Sequence, residues 1–261
     1  MIGVIGFGRF GKLATTHLAR DCQVQVYDSG GKDAFIQAAG AAPVSLEAAC
    51  GREIVLLCMP ISAMEEILEK IAPLLTHPQA LVVDVCSVKT LPVKWMRSRL
   101  PSHVSLLATH PMFGPDSARE TLQGHKIVLC PERIAPDRFQ KIAARLKSMG
   151  LVVIESTPEN HDRQIAVSLA LTHFIGRSLS NFGADELLID TEGYKRLLHI
   201  LEVVENDTWQ LFEDMHRFNP FAAETRRNFM QALREIENRL SEKPGQEPTA
   251  SGKRAAARQL P

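Results

Sequence analysis

Three polar residues near the ends of apolar runs are of types that can transfer a proton. Ser87 and Lys89 follow the run ALVVDV in the stretch DVCSVK, and His110 ends the run VSLLATH. A neutral imidazole can accept a hydroxyl proton while the carbon bearing that hydroxyl loses a hydride. Pro111 and Pro115 would stiffen the loop that orients the ring, and Ser87 could hold either the imidazole or the substrate. The residues therefore predict a dehydrogenase site, with a histidine that only caps a strand as the alternative.

A glycine-rich loop directly follows the first apolar run, IGVIG. In a strand–loop–helix context, the first glycine allows a tight turn, the second lets backbone amides approach a pyrophosphate, and the third lets the helix pack on the strand. The N–H groups at the helix N-terminus then stabilise the phosphates. We predict a dinucleotide site made of Gly6, Phe7, Gly8, Arg9, Phe10 and Gly11, with Met59, Pro60 and Ser87 at later strand ends.

The choice between NAD and NADP depends on the next strand, VQVYD, which ends at Asp28. A carboxylate there can accept hydrogen bonds from both ribose hydroxyls and would repel a 2′-phosphate. The sequence therefore favours NAD, while Lys32 keeps NADP possible. A simple glycine turn beside a solvated aspartate is the alternative.

Residues 1–155 predict a dinucleotide-binding domain of the doubly wound α/β class. Short apolar runs alternate with helical patterns, such as residues 64–75 and 136–149, which indicates a parallel sheet covered on both faces. Ligands of such sheets bind outside the carboxyl ends of the strands. The runs are IGVIG, VQVYD, EIVLLCM, ALVVDV, VSLLATH, KIVLC and LVVIES.

Residues 156–240 predict an all-helical substrate and dimerisation domain, because apolar residues recur three and four positions apart. One such stripe contains Ile165, Leu169, Thr172, Ile175 and Leu179, and a second contains Leu197, Ile200, Leu201, Val204 and Phe212. Residues 241–261 are rich in polar residues, Pro and Gly, which predicts a disordered tail.

The composition excludes several functional classes. Of 261 residues, 30 are basic and 30 acidic, so net charge gives no reason to expect a nucleic acid or an anionic membrane as partner. The five cysteines form no C-x-x-C pair, which favours buried thiols in a reducing cytoplasm over a metal site. The start MIGVIGFG lacks the features of a signal peptide, so we expect a cytoplasmic location.

Several stretches together resemble the prephenate and arogenate dehydrogenases of tyrosine biosynthesis, most closely the arogenate-type enzymes of plants. They are DVCSVK, LLATHPMFGPDSA, STPENHDR, THFIGRSLSNFG and DTEGYKRLLHILEVVENDTWQLFEDMHRFNP, and the resemblance covers about residues 1–240. It implies a Rossmann-type domain, a helical domain that forms an intertwined homodimer, and a nicotinamide cofactor. The implied reaction oxidises the C4 carbinol of a cyclohexadiene, with loss of the ring carboxylate as CO₂.

The resemblance also implies roles for individual residues. His110 would accept the proton of the C4 hydroxyl, and Ser87 would hydrogen-bond both this hydroxyl and His110. His173, in LTHFIG, matches a histidine of the substrate pocket, although a core histidine on an apolar helix face is the alternative. Asp84 and Lys89 would support the loop rather than take part in the reaction.

One departure from the family pattern concerns the substrate. Prephenate-specific relatives carry an arginine in the helix around residues 201–205, and ungapped placement back from Asp207 puts Glu202 there. An acidic pocket containing Glu202 and Asp207 would repel the prephenate dianion and would pair with the ammonium group of arogenate. We therefore expect a preference for arogenate. The cation for the ring carboxylate stays open among Arg163, Arg196, Arg217 and Arg226.

Two other functional classes fit the same layout. β-Hydroxyacid dehydrogenases and pyrroline-carboxylate reductases also join a dinucleotide domain to helices, but the former place a catalytic lysine on an early helix of the second domain. The corresponding stretch here, HDRQIAVSLALTHFIGRSL, contains no lysine. An NAD-binding sensor that is not an enzyme would not need Ser87 and His110 at adjoining strand ends.

Overall fold

The structure is a computed structural model and describes residues 1–241, apart from the side chains of residues 203 and 205. The predicted disordered tail lies outside the described residues, except for Ser241, which ends the last helix.

The N-terminal part of the chain is an eight-stranded sheet with helices between the strands, as the alternating apolar runs predict. The strands are β1 (Ile2–Ile5), β2 (Val24–Tyr27), β3 (Ala42–Pro43), β4 (Ile54–Leu57), β5 (Leu81–Asp84), β6 (Ser105–Pro111), β7 (Lys126–Arg133) and β8 (Val152–Glu155). The helices are α1 (Arg9–Leu18), α2 (Asp33–Ala38), α3 (Leu46–Cys50), α4 (Met64–Ile71), α5 (Thr90–Arg99) and α6 (Pro136–Ser148), with 3₁₀ turns at Ile61–Ala63 and Ala72–Leu74.

The strand order is β3-β2-β1-β4-β5-β6-β7-β8. Strand order reverses between β1 and β4, which is the switch point where doubly wound sheets bind dinucleotides. The sheet is mostly parallel, as predicted, but at one edge β7 runs antiparallel to β6, and β8 is parallel to β7. The physical reason is the connection from residue 112 to 125, which forms no helix, whereas a parallel pair needs a long crossover.

Apolar side chains from the central strands fill the core on both faces of the sheet. Val55, Val82 and Leu106 are buried on one face, and Leu81 and Leu107 are buried on the other. Burial of this kind, at about 25 cal/mol per Å² of apolar surface, supplies the main favourable free energy of folding. The central strands therefore give a rigid base for the residues at their carboxyl ends.

The C-terminal part of the described chain is helical, as the three- and four-residue spacing predicts. Its helices are α7 (Pro158–Ile165), α8 (Thr172–Phe182), α9 (Glu192–Glu205), α10 (Trp209–Arg217) and α11 (Ala222–Ser241). A π-helical segment, Ala166–Leu171, joins α7 to α8 and ends two residues before His173. Within residues 1–241 no helix is both long enough and apolar enough to cross a membrane.

The buried face of α7 and α8 differs from the predicted stripe. Ala166, Ala170, His173 and Gly176 are buried, whereas most of the larger apolar residues of the stripe are only half-buried. A Cβ atom at residue 176 would lie 2.7 Å from a methyl group of Val204 in α9. Small residues are therefore needed on this face, because α8 and α9 pack closely together.

Candidate active site

His110 lies inside β6 rather than after it, because the strand continues to Pro111 and pairs with β7 on its other side. The imidazole is 6% exposed. Its Nδ1 atom is 2.9 Å from Nε2 of His161 in α7. The helical part of the chain therefore contacts the predicted base directly.

His161 is in turn held by its neighbour in the chain. Its Nδ1 atom is 2.8 Å from Oδ1 of Asp162, and both side chains are buried. Both residues lie in α7, whose N-terminus is capped by Thr157, since its side chain accepts the N–H of Asn160. The sequence analysis assigned no role to either residue, although the stretch STPENHDR contains both.

The environment of His110 keeps its imidazole neutral. Burial lowers the pKa of His110 well below its ordinary value of 6.5, and the neighbouring His161 and the ammonium group of Lys89 lower it further. A neutral ring is the form that can accept a proton. The electrostatics therefore agree with the predicted role of a general base.

The loop between β5 and α5 is held by a buried ion pair. The ammonium group of Lys89 pairs with the carboxylate of Asp84 and also donates to the carbonyl oxygen of Thr109, and both charged side chains are fully buried. The carboxylate also accepts the N–H of Cys86 at 3.0 Å. Asp84 and Lys89 thus occupy the supporting positions expected for them.

Ser87 lies in this loop, but its expected hydrogen bond to His110 is not formed. The Ser87 side chain is 9% exposed, and its Oγ atom has no hydrogen-bond partner among the described residues. Nδ1 of His110 is instead bonded to His161. Because a buried hydroxyl normally has a partner, Ser87 Oγ is available to a bound molecule.

The glycine loop has the geometry that a dinucleotide requires. Gly6 has φ of +97°, and a Cβ atom there would lie 2.4 Å from the carbonyl oxygen of Cys58. Gly11 approaches the carbonyl oxygen of Gly6 equally closely, while a Cβ at Gly8 would meet no atom within 4 Å. Gly8 caps α1 without a side-chain hydrogen bond, so the N–H groups at the helix N-terminus can bind a phosphate. The loop therefore fits a dinucleotide.

Asp28 lies beside this loop and fixes it. Its Oδ2 accepts the N–H of Phe7 at 2.6 Å, its Oδ1 accepts the N–H of Gly30 at 2.9 Å, and Lys32 pairs with the carboxylate at 3.3 Å. Partial burial tends to raise the pKa of Asp28, but the hydrogen bonds from Phe7 and Gly30 and the charge of Lys32 outweigh it and lower this pKa. The group is therefore an anion where the adenosine ribose would lie.

Arg9 and Phe10, also predicted to bind the cofactor, contact the connection between β6 and β7. Arg9 pairs with Asp116 at 2.8 Å and also donates to the carbonyl oxygen of Asn206, so its guanidinium group joins three segments of the chain. The rings of Phe10 and Phe113 are 6.3 Å apart. Met59 and Pro60 directly follow β4, as expected.

A hydrogen bond also holds the loop after β4 to the helical part of the chain. Asp214 in α10 is buried, and its Oδ2 accepts the N–H and the hydroxyl of Ser62, each at 3.0 Å. The loop after β4 and helix α10 are therefore in direct contact.

His173 and Asp207, both predicted to bind substrate, lie close together. Nε2 of His173 is 3.7 Å from Oδ2 of Asp207, and His173 is 2% exposed. Burial lowers the pKa of His173, although Asp207 partly opposes this shift. Arg177, one turn further along α8, donates to the carbonyl oxygen of Asp207 at 2.5 Å and lies over the ring of Trp209.

Glu202 does not belong to this cluster, so its placement in an acidic pocket is wrong for this chain. Its side chain is 76% exposed and pairs with His199 at 2.8 Å. The reason is the rotation of α9, whose buried face carries Leu201 and Val204. Each residue advances about 100° around a helix, so Glu202 points to solvent.

Among the four candidate arginines, only one lies beside a buried polar group. Arg163 and Arg217 are mostly exposed and pair with Glu159 and Glu213, and Arg196 is exposed. The half-buried Arg226 is 2.6 Å from Nδ1 of His216. Arg226 and His216 are therefore the strongest candidates for binding an anion, and the sequence analysis had not singled out His216.

Comparisons with known proteins identify the family. Residues 22–155 match the family described as prephenate dehydrogenase, nucleotide-binding domain, and residues 178–251 match one described as TYRAAT1-like, C-terminal domain. The chain is 30% identical over 250 residues to arogenate dehydrogenase 2, chloroplastic, of Arabidopsis thaliana, which covers 92% of this chain and 69% of the relative. The chain belongs to the prephenate and arogenate dehydrogenase family.

Solved structures show a similar fold. Prephenate dehydrogenase from A. aeolicus, in complex with hydroxyphenyl propionate and NAD⁺, superimposes with a TM-score of 0.73 at 20% identity, covering 91% of this chain and 89% of that one. Synechocystis arogenate dehydrogenase gives 0.69 at 22% identity, covering 92% and 91%. Family membership makes this chain an NAD(P)-dependent dehydrogenase that oxidatively decarboxylates arogenate or prephenate.

Proposed function

We propose that this enzyme is an arogenate dehydrogenase that uses NAD, with His110 as the general base and with two chains in the active form. The observation that carries the proposal is a buried, neutral imidazole at the carboxyl edge of a sheet whose first loop fits a dinucleotide. Ser87, in the loop after β5, and His173, in α8, would contact the substrate.

The proposed reaction begins at the C4 hydroxyl group of the substrate. Nε2 of His110 accepts the hydroxyl proton while the C4–H bond breaks, and the bound nicotinamide supplies the hydride acceptor. The C1–carboxylate bond then breaks, CO₂ leaves, and the electron pair makes the ring aromatic. His110 returns its proton to the resulting phenolate oxygen. Arogenate and NAD⁺ thus give tyrosine, CO₂ and NADH, with all atoms and charges balanced.

Ser87 would orient the hydroxyl group during this transfer. Its Oγ is buried without a partner among the residues that the structure describes, and it precedes by two positions the buried Lys89 that holds the loop. A hydroxyl group can donate one hydrogen bond and accept two. Ser87 can therefore bind the C4 oxygen without competing for Nδ1 of His110.

The preference for NAD over NADP is supported by the charge at Asp28. Its carboxylate is ionised, and Lys32, the nearby cation, already pairs with it and donates to the carbonyl oxygen of Phe7 at 3.0 Å. The 2′-phosphate of NADP would be repelled by the carboxylate of Asp28, and Lys32 could not fully offset this repulsion because it already binds Asp28 and Phe7. Ribose hydroxyl groups, in contrast, can donate to the lone pairs of the carboxylate that remain free.

Arogenate as substrate is supported by Asp207 rather than by Glu202. Asp207 is about one-third exposed and lies next to the buried His173. The substrate pocket therefore has one carboxylate that can pair with an ammonium group, and the same charge disfavours the keto acid side chain of prephenate.

Arg226 and His216 would bind the ring carboxylate. Because a guanidinium group only donates, Nδ1 of His216 accepts from Arg226 and the proton of His216 lies on Nε2. This Nε2–H is buried and has no acceptor in the described part of the chain. Burial lowers the pKa of His216 to about 4, with contributions from Arg226 and His173. A carboxylate would provide the missing acceptor and would pair with Arg226.

A homodimer through the helical part is supported by large apolar side chains in solvent. Phe182, Leu188 and Ile189, at the end of α8 and in the following loop, are 84%, 102% and 89% exposed. Exposed apolar residues that cluster in this way mark association surfaces. The cytoplasmic location expected from the sequence belongs to the same proposal, and the cysteines are free thiols.

The activity assignment is tested by His110→Asn together with a comparison of substrates. We expect NADH formation with arogenate at a kcat/KM well above that with prephenate, and a loss of about 10²- to 10⁴-fold in kcat in the variant with little change in NAD binding. Full activity of His110→Asn would exclude His110 as the base. A preference for prephenate would exclude the arogenate assignment.

The role of Asp207 has a matched control on the neighbouring helix turn. Asp207→Asn should lower kcat/KM for arogenate by about 10- to 100-fold, because a hydrogen bond to a charged group contributes about 1.5–3 kcal/mol, and should change kcat/KM for prephenate less. Glu202→Gln removes an equal charge from the exposed face of α9 and should change neither value. Equal effects of both variants would refute the assignment.

A further inference from the structure

The buried contacts on the Nδ1 side of His110 form a chain of three side chains. Nδ1 of His110 is 2.9 Å from Nε2 of His161, and Nδ1 of His161 is 2.8 Å from Oδ1 of Asp162. The three residues are 6%, 3% and 0% exposed. Two of them come from the helical part of the chain, and the base itself comes from the sheet.

The chemistry of these atoms determines where each proton lies. An ionised carboxylate only accepts, so the proton of neutral His161 lies on Nδ1 and is donated to Asp162. Nε2 of His161 is then an acceptor and can only receive a proton from Nδ1 of His110. Neutral His110 consequently carries its proton on Nδ1, and its Nε2 has a free lone pair.

Asp162 is fixed as a carboxylate by further donors. Its Oδ1 accepts the N–H of Lys89 at 2.7 Å, and its Oδ2 accepts the N–H of Thr90 at 2.8 Å, both at the N-terminus of α5. Burial tends to raise the pKa of Asp162, but the hydrogen bonds from His161, Thr90 and Lys89 outweigh it and lower this pKa. Asn219 also holds the backbone here, since its Nδ2 donates to the carbonyl oxygen of residue 162 at 2.9 Å.

We propose that His161 and Asp162 are positioning residues that hold His110 in the Nδ1–H tautomer, so that Nε2 faces the substrate as the base. This inference rests on the proposed role of His110. When Nε2 accepts the hydroxyl proton, the imidazolium donates its Nδ1–H to His161, and the charge of Asp162 stabilises the cation across the pair. The helical part of the chain thus orients the base, in addition to its proposed role in binding substrate.

The tautomer can be measured directly on the whole enzyme. In ¹⁵N-histidine-labelled protein at neutral pH, we expect the Nδ1 signal of His110 in the range of protonated ring nitrogens and the Nε2 signal in the range of unprotonated ones, assigned with the His110→Asn variant. The opposite pattern in the wild-type enzyme would overturn the inference without any further variant.

Kinetics of two substitutions separate positioning from simple packing. His161→Phe retains the ring volume and removes the acceptor, so we expect kcat to fall by about 10- to 1000-fold, a part of what a positioned base contributes, with KM and NAD binding nearly unchanged. His161→Gln retains an acceptor near the position of Nε2, and we expect it to recover kcat to within about tenfold of wild type. A purely structural role would give equal kcat for both variants.

A control for local destabilisation is Asn219→Ser, which removes the hydrogen bond to the backbone of residue 162 and leaves the two histidines in place. It should lower Tm without a comparable loss of kcat. Wild-type kcat in folded His161→Phe, or loss of kcat in the control equal to that in His161→Phe, would overturn the inference. Inactive His110→Asn alongside active His161→Phe would overturn the positioning role alone, whereas active His110→Asn would overturn the proposed function itself.

Discussion

The buried ion pair between Lys89 and Asp84 should be decisive for the stability of the loop that carries Ser87. Both side chains are completely buried, and the ammonium group also donates to the carbonyl oxygen of Thr109 in β6. Lys89→Met retains most of the side-chain volume but leaves the carboxylate of Asp84 buried, with the N–H groups of Cys86 and Thr109 as its only remaining donors among residues 1–241. The loss of one partner of such a pair costs about 3–5 kcal/mol.

The expected size of the effect follows from chain length. A chain of this length loses about 2 °C of Tm for each kcal/mol, so Lys89→Met should lower Tm by about 6 to 10 °C in thermal unfolding followed by circular dichroism. Lys94→Met, on the exposed face of α5, is the control and should leave Tm within about 1 °C, because surface substitutions change stability by less than about 0.5 kcal/mol.

A double substitution distinguishes the ion pair from lost packing. Asp84→Asn combined with Lys89→Met replaces the two charges by uncharged groups and should be less destabilised than Lys89→Met alone, because no unpaired charge is buried. The pH profile gives a second measurement. Lys89 lowers the pKa of His110, so its removal should move the acid limb of kcat/KM to higher pH. A Tm loss below about 2 °C in Lys89→Met, with an unmoved limb, would refute this account.

Three further predictions follow from the charges and the surface. The free energy of unfolding should decrease as pH falls from about 6.5 toward 4. Burial lowers the folded-state pKa of several histidines, so protonation of each one favours the unfolded state and lowers the free energy of unfolding by up to about 1.4 kcal/mol per pH unit. An unchanged Tm between pH 7.5 and 5 would contradict this. Asp28→Asn should raise the NADP to NAD ratio of kcat/KM at least about tenfold, whereas Asp33→Asn, with an exposed side chain, should not, and equal ratios would contradict it. Leu188→Asp should shift the mass by light scattering from twice 28.9 kDa toward one chain, and an unchanged dimer would exclude this residue from the interface. The histidines that cause the expected loss of stability at low pH are His110, His161, His173 and His216.

Local sequence patterns were sufficient for most of the fold. Apolar runs identify seven of the eight strands, and only β3, with two residues, is too short to give such a run. For the central strands the run is continuous because both faces are buried, whereas β8 is an edge strand whose apolar residues are mostly exposed. Strand direction is not a local property, which is why the antiparallel β7 was missed. The stretch MFGPDSARETLQGH between β6 and β7 did contain a signal, since it has no helical periodicity and therefore cannot form a crossover helix.

Local sequence patterns predicted only part of the candidate site. Gly6, Gly11 and Asp28 were predictable because a single loop determines their roles. Glu202 was not, because a rotation of about 100° in α9 separates a pocket residue from a solvent-exposed one. His161 lies 51 positions from His110, and only the docking of α7 against β6 brings the two rings together. The available signal was a His-Asp pair within a helix that begins after the N-cap residue Thr157.

The contacts of Lys89 explain why β6 continues past an imidazole instead of ending before it. Its side chain joins β5 to β6 through Asp84 and Thr109, while its backbone N–H holds Asp162 of α7. Thr109 directly precedes His110, so the ion pair fixes the strand on one side of the base, and His161 fixes the ring on the other. Because Lys89→Met retains the backbone N–H that binds Asp162, it should weaken only the link between β5 and β6 and should leave the tautomer of His110 unchanged. The stability of the loop and the proton position of the base are therefore separable, although one residue contributes to both.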